Sequence, residues 1–271
     1  GRIKPYFDKK YSFNTIDIET VNNELFLLGC TINDKYYYYL DDFYNNFHKL
    51  LIRSVQMKKD VLTWSRYDNT HLVKLILSKV ENKDEINKYL LRIGKISPIY
   101  EYKFKSFKIV LENIIKDSMI FKITDRNNRS VRVIVYNLKN LFTSDLETTA
   151  KNYGINYYSK IGEEYHIIDK EKFYNDSEYQ RLVLLSNELD NKVLIDIANR
   201  FLENFKSVTG VYPKTMFTAG SIARSYLLAS KDSIDVSIMN FKVIYNKHRL
   251  FDKLLDYSMR AYHGGKIESY V

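Results

Sequence analysis

The first forty residues alternate between short apolar runs and polar links. FNTIDI at 13–18 and ELFLLGCTI at 24–32 read as strands. Tyr36–Leu40 reads as a third, reached through Asn33-Asp34-Lys35, a link that suits a hairpin. From Asp41 to Met57 the period changes. Apolar residues fall at Phe43, Phe47, Leu50, Leu51 and Val55, which predicts a helix with Asp41 or Asp42 as its cap. Val61–Trp64 reads as a short strand. Asn69 or Thr70 is expected to start a further helix that buries Leu72, Val73, Leu75, Ile76 and Leu77, and Lys83–Arg92 reads as another short helix.

Beyond residue 98 the pattern returns to strands. SFKIVLE, MIFKITD and VRVIVYN carry β-branched and aromatic residues in partial alternation, with a turn at Asp125–Arg129. Asp145–Tyr153 predicts a short helix stopped by Gly154, and 155–175 reads as irregular. Ser177–Phe205 is the longest helical stretch, with a break expected near Glu188–Asn191. Thr218–Leu228 predicts a helix led by Thr218, Ser230–Asp235 a linker, and the tail from about Asn246 has helix-like sequence. No internal repeat is visible.

Composition narrows the class. The chain has 271 residues, 45% of them hydrophobic, enough for one large domain or one domain with a small appendage. Lysine and arginine number 42 against 33 acids, a net charge of +9 that suits a polyanionic partner. The 24 tyrosines and 15 phenylalanines fit an AT-rich coding sequence, and also fit exposed rings that stack on single-stranded bases. The single cysteine, Cys30, excludes a disulfide within the chain and sits in an apolar run as a small buried residue. No apolar run is long enough for a membrane helix, and GRIKPYFDKK does not read as a signal peptide. His48, His71, His166, His248 and His263 have no zinc-site spacing and read as surface or core-edge residues.

The candidate chemistry is carboxylate chemistry. Asp17 and Glu19 are two apart on a strand, so they share a face, and a divalent cation would compensate their charge in an apolar setting. Asp68 follows the strand VLTW, where α/β sites gather, although a helix cap or turn is the ordinary role of such a residue. Asp190 lies in LVLLSNELDNKVLIDIANRF, with Asp196 as a competing acid and solvated helix surface as the ordinary reading of both. Four carboxylates can hold two oxygen-ligated cations, Mg²⁺ or Mn²⁺, about 4 Å apart. Tyr67 is a candidate for stacking on a terminal base or sugar. Trp64 reads as core.

In this order the signals resemble the N-terminal exonuclease region of family B DNA polymerases, in the protein-primed branch found in phages, adenoviruses and linear plasmids. Asp17-Ile18-Glu19 matches the family's Asp-x-Glu motif. Tyr67-Asp68 matches the end of its Asn-x-x-x-Phe/Tyr-Asp motif, with Ser65 as the nearest substitute for the absent asparagine. Asp190 matches its Tyr-x-x-x-Asp motif, but Ser186 stands where the tyrosine belongs, and Tyr179 lies upstream. Lys151 best fits the position of a phosphate-contacting lysine. Tyr262, Gly264 and Gly265, with Lys266, match a Tyr-x-Gly-Gly segment that joins exonuclease and polymerase regions.

The resemblance implies an α/β fold: a ribonuclease H-like (DEDD exonuclease) mixed sheet flanked by helices. It implies a 3′–5′ exonuclease domain at 1–229, and at 230–271 a linker and the start of the polymerase region. Asp17, Glu19, Asp68 and Asp190 would hold a two-metal site, with Thr20, Ser65, Tyr67, Tyr262, Gly264, Gly265 and Lys266 on DNA. The expected partners are a single-stranded DNA 3′ end, primer-template DNA and a terminal priming protein of the longer parent. The chain itself would be a monomer, away from membranes and inside the compartment where a viral or plasmid genome is replicated. The alternatives are an exonuclease-fold module with weakened catalysis that binds DNA or a priming protein, a stand-alone DEDD ribonuclease, and a structural protein with a basic surface.

Overall fold

A computed structural model describes residues 10–80, 100–156 and 168–229. Apart from the last turn of the final helix, these belong to one compact unit, Gly1–Ser225. The calls at Lys83–Arg92, at 230–271 and at His166, His248 and His263 lie outside the described residues.

The chain opens with β1 (Phe13–Val21), β2 (Glu24–Ile32) and β3 (Lys35–Tyr39), then α1 (Phe43–Gln56), β4 (Asp60–Thr63) and α2 (Arg66–Leu77). Four further strands follow: β5 (Tyr100–Phe104), β6 (Phe107–Ile115), β7 (Ser118–Thr124) and β8 (Ser130–Asn137). A 3₁₀ turn at Leu138–Leu141 leads to α3 (Leu146–Asn152), α4 (Lys170–Asn175), α5 (Ser177–Thr209) and α6 (Ala219–Ala229). The eight strands form one sheet in the order β3-β2-β1-β4-β8-β7-β6-β5. β1, β4 and β8 pair in parallel and the rest antiparallel, so the sheet is mixed, as expected.

Local chemistry explains the turns. Asn22-Asn23, Asn33-Asp34 and Lys116-Asp117 each have positive φ at both residues, the backbone of tight hairpin turns that match strand twist. The predicted link after β2 is therefore one of three such hairpins.

Strand alternation splits the core. Ile16, Ile18, Leu28, Cys30, Val61, Val133 and Val135 face α1 and α2, meeting Phe47, Leu50, Leu51, Leu72 and Ile76. On the other face Phe13, Leu62 and Tyr136 meet Leu194, Ala198 and Leu202 of α5. Fully burying an aliphatic or aromatic side chain stabilises by roughly 1.5–3 kcal/mol, so both layers contribute strongly. Cys30 is fully buried, which pushes its thiol up to about 12. His48 is also fully buried, in the core rather than at its edge: it contacts the Tyr44 carbonyl and the Tyr102 hydroxyl and stacks on Phe104.

Four expectations are corrected. Asp42 stands at the start of α1 in the left-handed region and makes no side-chain cap. α2 begins at Arg66 with Ser65 as its cap, not at Asn69 or Thr70. Residues 170–175, read as irregular, form α4, capped by Asp169. α5 runs unbroken for 33 residues. The polar stretch Glu188–Asn191 suggested a break, but Asn187, Asp190 and Asn191 are buried. The two asparagines hydrogen-bond to Asp17 and Thr15 of β1, and Asp190 meets Asp17 and Glu19 there, so the helix continues through them.

Candidate metal centre

The buried stripe of α5 runs Tyr179, Val183, Asn187, Asp190, Asn191, Leu194, Ala198, Leu202. It is apolar at both ends and polar for one turn in the middle. That turn lies over the centre of β1 and β2. Asp17 pairs across the ladder with Gly29, and Thr15 with Thr31. Gly29 lets the helix come close: a Cβ there would stand 1.6 Å from Asn187 Oδ1 and 3.1 Å from Asn191 Nδ2. Asn187 Nδ2 donates to Asp17 Oδ2 at 2.7 Å, and Thr15 Oγ1 donates to Asn191 Oδ1 at 2.7 Å.

This docking brings three acids together. One carboxylate oxygen from each of Asp17, Glu19 and Asp190 lies within 4.8 Å of the other two. Asp17 and Glu19 are half-buried and Asp190 is buried. Asp196, the competing acid, is exposed. The strand register slips just after Glu19, with Phe26 as the extra residue on β2, a local twist of the kind often found beside sites. Three carboxylates this close repel one another, and the arrangement is favourable when a cation neutralises them. The donors are all carboxylate oxygens, the set that hard ions such as Mg²⁺ and Mn²⁺ take.

Asp68 is not one of the three clustered acids, although it lies near enough to Asp190 to feel its charge, and it is held differently. It is the third residue of α2, in a reciprocal cap: Ser65 N and Oγ both donate to Asp68 Oδ2, at 2.9 and 3.0 Å. Burial pushes its carboxyl up to about 6, with the charge of Asp190 adding to the rise and the Ser65 bonds opposing it. Ser65 is thus a cap that orients Asp68.

Thr20 and Tyr67 meet each other at 2.7 Å through their hydroxyls, next in sequence to Glu19 and Asp68. The Tyr67 ring is 47% exposed and rests on His71. Lys151 forms an ion pair with Glu147 one turn away on α3. Tyr179, considered as a stand-in for the tyrosine missing at Ser186, is buried in the core cluster that holds Phe26 and Phe173, and its hydroxyl accepts from Asp169 N. Trp64 stacks on Phe142 at the edge of the core, as its sequence context suggests. Tyr262, Gly264, Gly265 and Lys266 lie outside the described residues.

Sequence reading missed Gly29, Asn187, Asn191 and Tyr36. Tyr36 comes from β3, donates to Asn187 Oδ1 at 2.8 Å, and has its phenol pushed up by burial and by the charge of Asp17. The single polar turn in an otherwise apolar 3–4 stripe was the signal for the two asparagines.

Among the described residues, no helix is long and apolar enough to cross a membrane. No family model matches the chain, and no curated protein matches it in sequence. Solved structures do resemble it. Phi29 DNA polymerase complexed with single-stranded DNA is 12% identical with a TM-score of 0.44, over 79% of this chain and 34% of that one. The same polymerase complexed with primer-template DNA is 13% identical with a TM-score of 0.46, over 86% and 36%. The chain thus spans about a third of the length of the structures it resembles. The geometry of the acids, not this likeness, carries the functional reading.

Proposed function

We propose that the chain is a 3′–5′ exonuclease domain, at 1–229, that removes nucleoside monophosphates from the 3′ end of single-stranded DNA. Residues 230–271 would lead into the polymerase region of a longer parent. The observation that supports this best is the meeting of Asp17 and Glu19, from one strand, with Asp190, from a helix about 170 residues later. A lone pair on a strand is ordinary, but a third acid brought to it from such a distance needs a reason.

Asp17, Glu19 and Asp190 would hold the cation side of the site, with Asp68 as the fourth acid. Divalent ions bound there supply Lewis acidity and a nucleophile at neutral pH. The protein holds the acids in fixed directions: Asn187 on Asp17, and Ser65 on Asp68. Tyr67, with its hydroxyl tied to Thr20, offers a ring for the terminal base or sugar. A frayed end reaches such a site more readily than a paired one, which favours mismatched termini. Primer-template DNA and a priming protein would be partners of the parent.

A second reading, a module that binds DNA with weakened catalysis, is favoured by Asp68. Its carboxylate is engaged in a cap and, with burial pushing it up to about 6, keeps its proton further up the pH scale than an ordinary aspartate. Incubating 5′-labelled single-stranded DNA with Mg²⁺ separates the two. The exonuclease reading expects stepwise shortening that Asp17→Ala/Glu19→Ala abolishes. Equal shortening by that double variant would sink it, and binding without shortening by the wild type would favour the second reading.

A further inference from the structure

We propose that Asn187 is a positioning residue of the acidic site, keyed by Tyr36: the phenol fixes the direction of the amide, and the amide aligns the Asp17 carboxylate. This rests on reading the acids as a cation site.

The two ends of an asparagine amide have nearly the same shape, so its direction is set by its neighbours. Two donors meet Asn187 Oδ1: the Tyr36 hydroxyl at 2.8 Å and Asn191 Nδ2 at 3.3 Å. Asn191 is itself directed, because Thr15 Oγ1 donates to its Oδ1 at 2.7 Å, and its Nδ2 also donates to the Asn187 carbonyl at 2.9 Å. With its oxygen committed to donors, Asn187 must turn its NH₂ toward Asp17 Oδ2, which it meets at 2.7 Å. Every link has a defined donor, and the strand members, Thr15, Asp17 and Tyr36, lie on the sheet face that α5 covers with Asn187 and Asn191.

The space is also defined. Asn187 is fully buried, and only a glycine at 29 leaves room for it. A lysine or arginine at 187 would orient Asp17 equally well, but its charge would compete with a cation for the carboxylate. A neutral amide orients without competing. Groups that hold a ligating carboxylate from behind typically change metal affinity about 10- to 100-fold when removed.

The test is Mn²⁺ binding by titration calorimetry to the intact chain, compared across wild type, Tyr36→Phe, Asn187→Ala and the double variant. Unfolding without cation is followed in parallel. Tyr36→Phe keeps the ring and removes only the hydroxyl, so a purely packing role leaves its Mn²⁺ affinity unchanged. The relay expects weaker binding in Tyr36→Phe, about 10- to 100-fold weaker binding in Asn187→Ala, and no further loss in the double variant. Wild-type affinity in Tyr36→Phe overturns the relay, as do losses that multiply in the double variant. Should Asn187→Ala fail to fold, Tyr36→Phe against wild type decides alone. An Asp17→Asn variant separates the two levels. If it binds Mn²⁺ as the wild type does, the cation reading falls and the relay with it. If Asp17→Asn binds Mn²⁺ poorly but Tyr36→Phe matches the wild type, the relay alone falls.

Discussion

Gly29 faces Asn187 so closely that a methyl group in its place would stand 1.6 Å from the amide oxygen. The contact is with a buried side chain of α5 that has no room to retreat, so Gly29→Ala must push the helix off the sheet or turn Asn187 away from Asp17. Overpacking of this kind costs about 1–3 kcal/mol. We expect a loss of that size in urea unfolding, with weaker Mn²⁺ binding beyond what the stability loss accounts for. Unchanged stability would mean that α5 sits farther from β2 than described.

His48 gives the acid side of the stability profile. The Tyr44 carbonyl can only accept, so Nδ1 carries the proton and Nε2 accepts from Tyr102. Burial pushes His48 down to about 4 from an ordinary 6.5. A depressed value means stability that is complete above 6.5 and is lost as pH falls through 4, worth roughly 3 kcal/mol in all. Thermal unfolding from pH 7 to pH 4 checks this. His48→Gln should be less stable at pH 7 and flatter over that window.

Asp68 slopes the other way. Burial raises it to about 6, so its contribution is complete below the ordinary value of 3.8 and lost as pH rises through 6. Asp68→Asn keeps an oxygen for Ser65 and removes the charge. Without divalent ions it should be more stable than wild type at pH 8, with the difference gone at pH 4. If Asp68 faces a cation, Mn²⁺ should stabilise the wild type more than the variant at pH 8. A variant less stable at pH 8 would show that the cap outweighs the buried charge.

Ser65 joins fold and site. Ser65→Ala removes the hydroxyl that caps α2 and holds Asp68 Oδ2. Loss of such a cap costs about 1 kcal/mol. The midpoint of chemical unfolding should fall accordingly, and DNA hydrolysis should fall by more than that destabilisation explains. Hydrolysis at the wild-type rate would leave Ser65 a cap alone.

Much of the sheet was legible because turns and alternation are local. The Asn-Asp link after β2, the strands FNTIDI and VRVIVYN, and the core role of Cys30 all follow from neighbours in sequence. The acids were legible only as candidates. Nothing near Asp17 marks Asp190 as its companion, because that pairing is made by the docking of α5. The expected break at Glu188–Asn191 fails for the same reason: polar residues in mid-helix look like an interruption until a polar strand face receives them. Tyr36 was hidden in a run of four tyrosines, and only the register of β3 against β2 singles it out.

The central claim is that Asp17, Glu19 and Asp190 share a divalent cation. Anomalous diffraction from crystals grown with Mn²⁺ tests it most directly. The account predicts a peak in contact with a carboxylate oxygen from each of the three, absent from Asp17→Ala/Glu19→Ala crystals. A map with no peak among the three acids at saturating Mn²⁺ would contradict it.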